Sequence, residues 1–252
     1  MGTYAAVVLA GGAARRMGGV DKPALPVGGQ PMRDRVLAAV TDATPRVLVG
    51  AADAVPAGVL VVREDPPGGG PVAAAAAGLA LLDADTSLVA LLAADLPLLT
   101  RSAIGDLLNH LDRETHDTEP TGDRSAPAAP AHGGPAPASP AHGGLAPAAP
   151  ACGGLASPAR SGGDGERRPD GVCFVDGDGR RQSLCGVWRV AALRAAVDRL
   201  TVERGGSLAG APVRALLAGL VVREVAWGGE GPPPWFDCDT DEDVRRAEEW
   251  AR

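Results

Sequence analysis

The chain has 252 residues, a formal net charge of −7 and a hydrophobic fraction of 45%. This length allows one large domain or two small ones, and the apolar content is ample for a buried core. The negative charge argues against a nucleic-acid-binding surface, which usually needs a basic stripe. The sequence shows neither a signal-peptide pattern nor an apolar run long enough to span a bilayer. We therefore expect a cytoplasmic protein without a membrane or nucleic-acid partner.

The cysteines point to the same compartment. None of the four forms a C-x-x-C pair, and no histidines lie near them at zinc-ligand spacing. This pattern favours reduced, structural thiols, which are Cys152, Cys173, Cys185 and Cys238.

Strands and helices alternate in the first half of the chain. Short apolar runs that end at glycine or aspartate are typical of strands buried on both faces of a parallel sheet. The alternation predicts right-handed βαβ units and a largely parallel sheet. Strands are predicted at Ala5–Ala10, Arg46–Gly50, Val59–Val62 and Ser87–Ala94, and helices at Pro31–Val40, Gly70–Leu82 and from a cap at Thr100 or Ser102 through Leu111.

Residues 118–168 interrupt this pattern with Ala, Pro, Gly and Ser and a threefold repeat containing His132, His142 and Cys152. Such a segment cannot bury enough apolar surface to offset its ordering entropy, so we predict a disordered insert. A metal-binding role for the repeat is the less favoured alternative, because no rigid scaffold would hold the ligands at tetrahedral distances.

Regular structure is predicted again after the insert. A turn-forming centre at 176–179 predicts a hairpin, and residues 1–117 with 169–252 are expected to form a single domain. The predicted elements are the hairpin strands Val172–Val175 and Gln182–Arg189, helices Val190–Leu200 and Leu208–Leu217, the strand Leu220–Val225, and a last helix Val244–Arg252 capped by Asp239 or Thr240.

The most specific segment is the loop from Leu9 to Lys22, LAGGAARRMGGVDK, which follows the first predicted strand. Its glycines let backbone N–H groups turn toward a ligand, and Arg15, Arg16 and Lys22 bring positive charge to it. Lys22 is the only lysine of the chain. The loop is neither a P-loop, because proline follows Lys22, nor a dinucleotide-binding G-x-G-x-x-G.

Acidic residues follow two of the predicted strands, and two more lie before the last predicted helix. Asp95 comes directly after an apolar run, where ligands of open α/β sheets bind, and it is a candidate Mg²⁺ ligand. Asp65 follows another strand and is a candidate contact for a base, a ribose or the glycine-rich loop. Asp237 and Asp239 flank a cysteine in an extended stretch, so both side chains are expected on one face. One of the two is a candidate second metal ligand, and a helix cap is the alternative role for Asp239.

These residues resemble the molybdenum cofactor guanylyltransferases and their nucleotidyltransferase relatives. Residues 9–22 are similar to the signature L-A-G-G-x-x-x-R-M-G-x-x-K, and ADLP at 94–97 is similar to a metal-binding C/A-D-x-P. Weaker similarities are the Gly-Pro at 70–71, SLCGVW at 183–188 and DCDT at 237–240. The resemblance covers nearly the whole chain except the insert.

The resemblance implies a three-layer, Rossmann-like nucleotidyltransferase fold with a mostly parallel sheet. It implies transfer of GMP from GTP to Mo-molybdopterin with Mg²⁺ as cofactor, and molybdoenzymes or their chaperones as further partners. Catalytic roles are expected for Lys22, Arg16 and Asp95, which also binds the metal, and nucleotide contacts for Leu9, Ala10, Gly11, Gly12, Lys22, Asp65 and Asp95.

Two departures from the family pattern leave alternatives open. Gly50 stands where many members carry Asn, and Asp237 and Asp239 replace Asn residues of some members. Either change is compatible with CTP in place of GTP as the donor, or with a different phosphorylated acceptor. A non-catalytic nucleotide-binding module is the rival from a different class, which the presence of Lys22 and Asp95 argues against.

Overall fold

The computed structural model describes residues 3–11, 22–51, 54–112 and 168–252. Contacts divide the chain into two units, and all the described residues belong to the unit made of Met1–Asp117 and Arg167–Arg252. The other unit is Thr118–Glu166. The predicted disordered insert lies outside the described residues, apart from Arg168.

A seven-stranded sheet forms the centre of the described unit, in the order β5-β4-β1-β6-β8-β7-β9. Every neighbouring pair is parallel except the two that involve β8. This confirms the predicted α/β class with a mostly parallel sheet. Its strands are β1 (Ala5–Leu9), β4 (Arg46–Val49), β5 (Val59–Val62), β6 (Leu88–Ala93), β7 (Gly171–Val175), β8 (Arg181–Arg189) and β9 (Val222–Ala226), and a separate two-stranded ribbon consists of β2 (Pro26–Val27) and β3 (Gln30–Pro31).

Helices cover both faces of the sheet. The described helices are α1 (Met32–Ala39), α2 (Pro71–Leu79), α3 (Arg101–Asp112), α4 (Val190–Glu203), α5 (Val213–Leu216) and α6 (Asp241–Trp250). Alternate residues of β1 point to opposite faces: Ala6 and Val8 join the core under α1 and α3, whereas Val7 joins the core under α2 and α4. The fold therefore has the three layers that the resemblance implies. Within the described ranges no helix has both the length and the apolar character that a bilayer span requires.

The sheet brings the ends of distant strands to one edge. The strands β1, β4, β5, β6, β7 and β9 all run in the same direction, so their carboxyl ends lie together. Two backbone hydrogen bonds extend the pairing just beyond β1: Ala10 N–H donates to Val49 O at 2.8 Å, and Ala94 N–H donates to Leu9 O at 3.0 Å. The residue after β1 and the residues after β6 are thereby held side by side.

One predicted helix is wrong and one element was missed. Only Val213–Leu216 is helical within the predicted Leu208–Leu217, because Gly210 has a φ of +69° and Pro212, the N-cap residue, has an extended backbone. The missed element is the β2–β3 ribbon, whose turn residues Gly28 and Gly29 have φ values of +59° and +76°. Two consecutive glycines at positive φ form the tight turn that pairs short antiparallel strands.

A buried tyrosine anchors the start of β1. The Tyr4 hydroxyl donates to Asp42 Oδ1 at 2.8 Å, and Arg101 pairs with the same carboxylate at 3.1 Å. Burial raises the pKa of Asp42, but the hydrogen bond from Tyr4 and the charge of Arg101 outweigh it and leave the pKa below its usual value. The ionised form of Asp42 is therefore favoured by folding.

Replacing Tyr4 by Phe is expected to lower the free energy of unfolding by about 1–2 kcal/mol at pH 7, because the hydrogen bond to a charged acceptor is lost. A lowered pKa stabilises the fold above the ordinary aspartate pKa of about 3.9 and loses that effect as pH falls through the folded value. Urea titrations at pH 7 and near pH 3 test this: the gap between wild type and Y4F should shrink in acid. An equal gap at both pH values would contradict the assignment, and Asp42→Asn should reproduce the loss.

Candidate active site

The side chain of Lys22 connects two carboxylates at the carboxyl edge of the sheet. Its Nζ lies 2.5 Å from Asp95 Oδ2 and 2.8 Å from Asp239 Oδ1. The lysine side chain is 16% exposed and that of Asp95 is 24% exposed, whereas Asp239 is 59% exposed. One compact cation thus pairs with two anions contributed by segments 73 and 217 residues away in sequence, and a net negative charge remains.

Each of the three residues lies at a regular element or within two residues of one. Lys22 begins a single 3₁₀ turn, Asp95 follows β6, and Asp239 precedes α6. Cys238 N–H donates to the backbone oxygen of Asp95 at 3.3 Å, which fixes the last two segments to each other. A small buried apolar group, which we call the site cluster, packs between these segments; it consists of Val27, Met32, Leu98, Cys238 and Ala247.

Thr240, and not Asp239, caps the start of α6. Thr240 is the N-cap: its hydroxyl accepts from Asp243 N–H at 3.2 Å, and Asp243 Oδ2 accepts from Thr240 N–H at 2.8 Å. This reciprocal pair is a complete capping box. Of the two predicted caps, Thr240 is therefore the one used, and the Asp239 carboxylate turns to Lys22.

The surplus of negative charge shifts pKa values around the site. Burial lowers the pKa of Lys22, but the hydrogen bonds and charges of Asp239 and Asp95 outweigh it and raise the value above normal. Burial and the nearby charges of Asp239 and Asp95 raise the pKa of Asp237. Burial, with Asp95 next, raises the pKa of the Cys238 thiol to about 12. Cys238 is accordingly a packed thiol at neutral pH, and the described Cys173 and Cys185 are also buried and free.

The backbone after β1 forms the wall next to these charges. Leu9 is buried, and Ala10 and Gly11 are half-buried. Gly50, after β4, has a φ of +143°, and a Cβ at this position would lie 3.0 Å from the carbonyl carbon of Ala10. The close approach of the two backbones explains glycine at this position of the chain. Gly12 and Arg16, the other predicted loop residues, lie outside the described residues.

Two acidic neighbours after β5 have different surroundings. Asp65, the predicted base or ribose contact, is exposed. Glu64, which the sequence interpretation passed over, is 7% exposed and lies against Gly11. The available signal was its position one residue before Asp65 at a strand end, but the sequence does not say which of two adjacent carboxylates turns inward.

The sequence that carries this site matches the model of a known family. Residues 6–218 match the model of the MobA-like NTP transferase domain. The chain belongs to this family. It is a nucleotidyltransferase of the MobA-like type, as residues 9–22 and 94–97 imply. No match was found among curated proteins.

Solved structures share the fold over nearly the full length. One is 2-C-methyl-D-erythritol 4-phosphate cytidylyltransferase from Thermus thermophilus, with 16% identity, a TM-score of 0.56, and 99% of each chain covered. Another is molybdopterin-guanine dinucleotide biosynthesis protein A from Archaeoglobus fulgidus, with 16% identity, a TM-score of 0.55, and 97% of this chain and 96% of that chain covered. At these identities the likeness shows the fold alone.

Replacing Lys22 by Met should lower the free energy of unfolding by roughly 1–2 kcal/mol, between the values typical of exposed and buried pairs, because two carboxylates lose their shared cation. A raised lysine pKa stabilises the fold below the ordinary value of about 10.4 and ceases to do so above the folded value. The loss should therefore be equal at pH 7 and pH 9 in urea titrations.

A matched control for this variant is Arg181→Met. Arg181 Nε lies 2.7 Å from Glu224 Oε1, a distance similar to those between Lys22 and its two carboxylates, but both side chains are nearly half exposed. Its removal should change stability by no more than about 0.5 kcal/mol. If K22M were no more destabilised than R181M, the two-carboxylate bridge would contribute no more than an exposed ion pair.

Proposed function

We propose that this nucleotidyltransferase transfers GMP from GTP to the terminal phosphate of Mo-molybdopterin, forming molybdopterin guanine dinucleotide and releasing pyrophosphate. The observation that carries the proposal is the Lys22 ammonium between Asp95 and Asp239, beside the backbone wall Leu9–Gly11. A cation and two oxygen-donor side chains thus lie at the carboxyl ends of the strands, where ligands of open α/β sheets bind. The similarity of residues 9–22 to the guanylyltransferase signature supports GTP as the donor.

The donor set of the site fits Mg²⁺. Asp95 Oδ2 and Asp239 Oδ1 both lie within hydrogen-bonding distance of one nitrogen atom, so they can reach a common small cation. Among the described residues no group of three or more His, Cys, Asp or Glu side chains converges on a metal position. Proteins usually coordinate Mg²⁺ through one or two carboxylates, because substrate phosphates and water complete its octahedral coordination. When bound, Mg²⁺ would neutralise charge on the triphosphate.

The residues of the chain contribute position and charge. Asp95 and Asp239 would hold the metal, which frees the Lys22 ammonium to pair with phosphate oxygens. Lys22, with Arg16 from the same loop, would offset the charge that accumulates as pyrophosphate leaves. The attacking group is the phosphate oxygen of the acceptor, which is already an anion and needs no general base. Because the N–H of Ala10 is taken by Val49 O, backbone N–H groups of the loop that begins at Gly11 would fix the nucleotide for in-line attack.

A cytidylyltransferase is the second candidate. The feature that favours it is Gly50, which stands where many members of the guanylyltransferase family carry Asn. The fold does not separate the two donors, because 4-diphosphocytidyl-2C-methyl-D-erythritol synthase from Anaerococcus prevotii shares it, with 12% identity, a TM-score of 0.55, and 98% of this chain and 97% of that chain covered. In this case CTP and a sugar phosphate replace GTP and the pterin, with the same roles for Lys22 and Asp95. A non-catalytic nucleotide-binding module is less consistent with the paired charges of the site.

The purified protein is expected to release pyrophosphate from GTP in the presence of Mg²⁺ and Mo-molybdopterin, and to leave CTP largely unused. Lys22→Met and Asp95→Asn should each lower kcat/KM by at least about 100-fold, in line with the removal of a charge-stabilising group. Arg181→Met should behave as wild type. Consumption of CTP in preference to GTP would replace the guanylyl assignment by the cytidylyl one, and full activity of K22M would refute the role of Lys22.

We also propose that residues 118–168 form a tether that takes no part in the chemistry, in a protein of the cytoplasm that passes its product to molybdoenzymes or their chaperones. A variant with residues 120–166 replaced by a short Gly/Ser linker should retain kcat within about twofold. Thermal unfolding of this variant and steady-state kinetics provide the two readouts. A large loss of kcat in a variant that unfolds like wild type would assign the segment a role in catalysis.

A further inference from the structure

The β2–β3 ribbon lies in the chain between Lys22 and α1, and hydrogen bonds tie it to both. Leu25 N–H donates to Lys22 O at 3.0 Å, and Met32 N–H donates to Leu25 O at 3.0 Å. Val27 of the ribbon is fully buried in the site cluster. The position of the Lys22 backbone is therefore set by where the ribbon and the start of α1 lie.

A single arginine of α1 joins this ribbon to the segment that follows Asp95. Arg35 Nε donates to Pro97 O at 2.8 Å, and its Nη1 donates to Val27 O at 3.3 Å. Pro97 lies two residues beyond Asp95, and Val27 lies in the ribbon that follows Lys22. Because a guanidinium group is planar and holds its donors in a fixed fork, it fixes the separation of the two carbonyl groups. Arg35 thus bridges the two segments whose side chains meet in the Lys22–Asp95 ion pair.

The turn of the ribbon packs against the same arginine and against α6. Gly28 N–H donates to Glu248 Oε1 at 3.0 Å. A Cβ added to Gly28 would lie 2.9 Å from Arg35 Nη1, whereas one added to the neighbouring Gly29 would meet no atom within 4 Å. The ribbon therefore also contacts the helix that follows the second carboxylate of the site, and only one of its two turn glycines faces the guanidinium.

We propose that Arg35 is a positioning residue that holds the Lys22 ammonium against the Asp95 carboxylate. It acts through the backbone, since Nη1 holds the ribbon that follows Lys22 and Nε holds the segment that follows Asp95. A displacement of about 1 Å among reacting groups can lower a rate about 100-fold. The kinetic consequence rests on the proposed nucleotidyl transfer, whereas the position of Lys22 can be measured without any substrate.

The first variant removes the bridge itself. Arg35→Met deletes both donors, and Arg194→Met is its matched control. Arg194 Nη2 also donates to two backbone carbonyls, those of Leu79 at 3.1 Å and Leu82 at 2.7 Å, but these lie at the end of α2, on the other face of the sheet. Both variants lose an arginine that joins two carbonyl groups, so their urea unfolding midpoints should be similar.

The second variant keeps the arginine and displaces it. Gly28→Ala puts a methyl group close to Arg35 Nη1, and Gly29→Ala is its control. Both glycines have a positive φ, +59° and +76°, so both variants carry the strain of a Cβ in this region of backbone conformation. Only G28A adds the clash with the guanidinium, and a difference between the two variants reports on that clash.

The side chain of the only lysine provides the first readout. Protein labelled with isotopic lysine gives one ε-methylene signal in a two-dimensional NMR spectrum, recorded at neutral pH without nucleotide or metal. Asp95→Asn defines how this signal changes when the Asp95 charge is lost. R35M and G28A should move the signal in the same direction by at least about half of that change, whereas R194M and G29A should leave it at the wild-type position. A general loss of stability would not move the signal of the folded protein.

Steady-state kinetics with GTP, Mg²⁺ and Mo-molybdopterin provide the second readout. R35M and G28A should lower kcat at least about 10-fold while the KM for GTP stays within about threefold, because the geometry of the charged groups changes and the nucleotide-binding backbone after β1 does not. R194M and G29A should keep the wild-type kcat.

The outcomes separate this inference from the proposed function. An unchanged lysine signal in R35M and G28A refutes the inference, and so does an equal change in the two controls. A moved signal with wild-type kcat refutes a role for this contact in the transfer. If R35M folds poorly, the comparison of G28A with G29A still decides. If the wild type transfers no nucleotide, the proposed function fails, and the lysine signal alone shows whether Arg35 positions Lys22.

Discussion

Three segments that are far apart in sequence must meet before this protein has a charged site at all. The ammonium of Lys22, near the start of the chain, holds the carboxylate after β6 and the carboxylate before α6 at hydrogen-bonding distance. No single element provides this arrangement. It depends on the site cluster, in which Val27, Met32 and Leu98 pack against Cys238 and Ala247. Apolar burial thus positions an ion pair that is itself only partly shielded from water.

The parallel sheet explains why a second carboxylate lies close to the same place. Because the strands of the first half run in one direction, the residues after β1, β4, β5 and β6 converge on one edge. Gly11, Gly50, Glu64 and Asp95 are those residues. The glycines allow the backbones to approach, and the acidic side chains differ in exposure, so the same edge carries a partly exposed carboxylate, Asp95, and a buried one, Glu64.

The sequence was sufficient for most of the architecture because its signals are local. Apolar runs such as Ala5–Ala10 and Ser87–Ala94 ended close to where the strands do, and residues 9–22 were enough to expect the family. It failed at Leu208–Leu217, where Gly210 and Pro212 overrode an apolar helical pattern. It placed Lys22 and Asp95 at one site, but Glu64 was missed because which of two adjacent carboxylates is buried depends on tertiary packing, here against Gly11.

The solitary lysine also has a practical consequence. Every other basic side chain of the chain is arginine or histidine, so Lys22 carries the only ε-amino group of the sequence. Amine-directed reagents, cross-linkers and coupling resins that attach proteins through lysine have this one side chain to react with, apart from any free α-amino group. Its burial, and its pairing with two carboxylates, which raises the pKa, would slow that reaction. Any modification of lysine in this protein would therefore fall within the site.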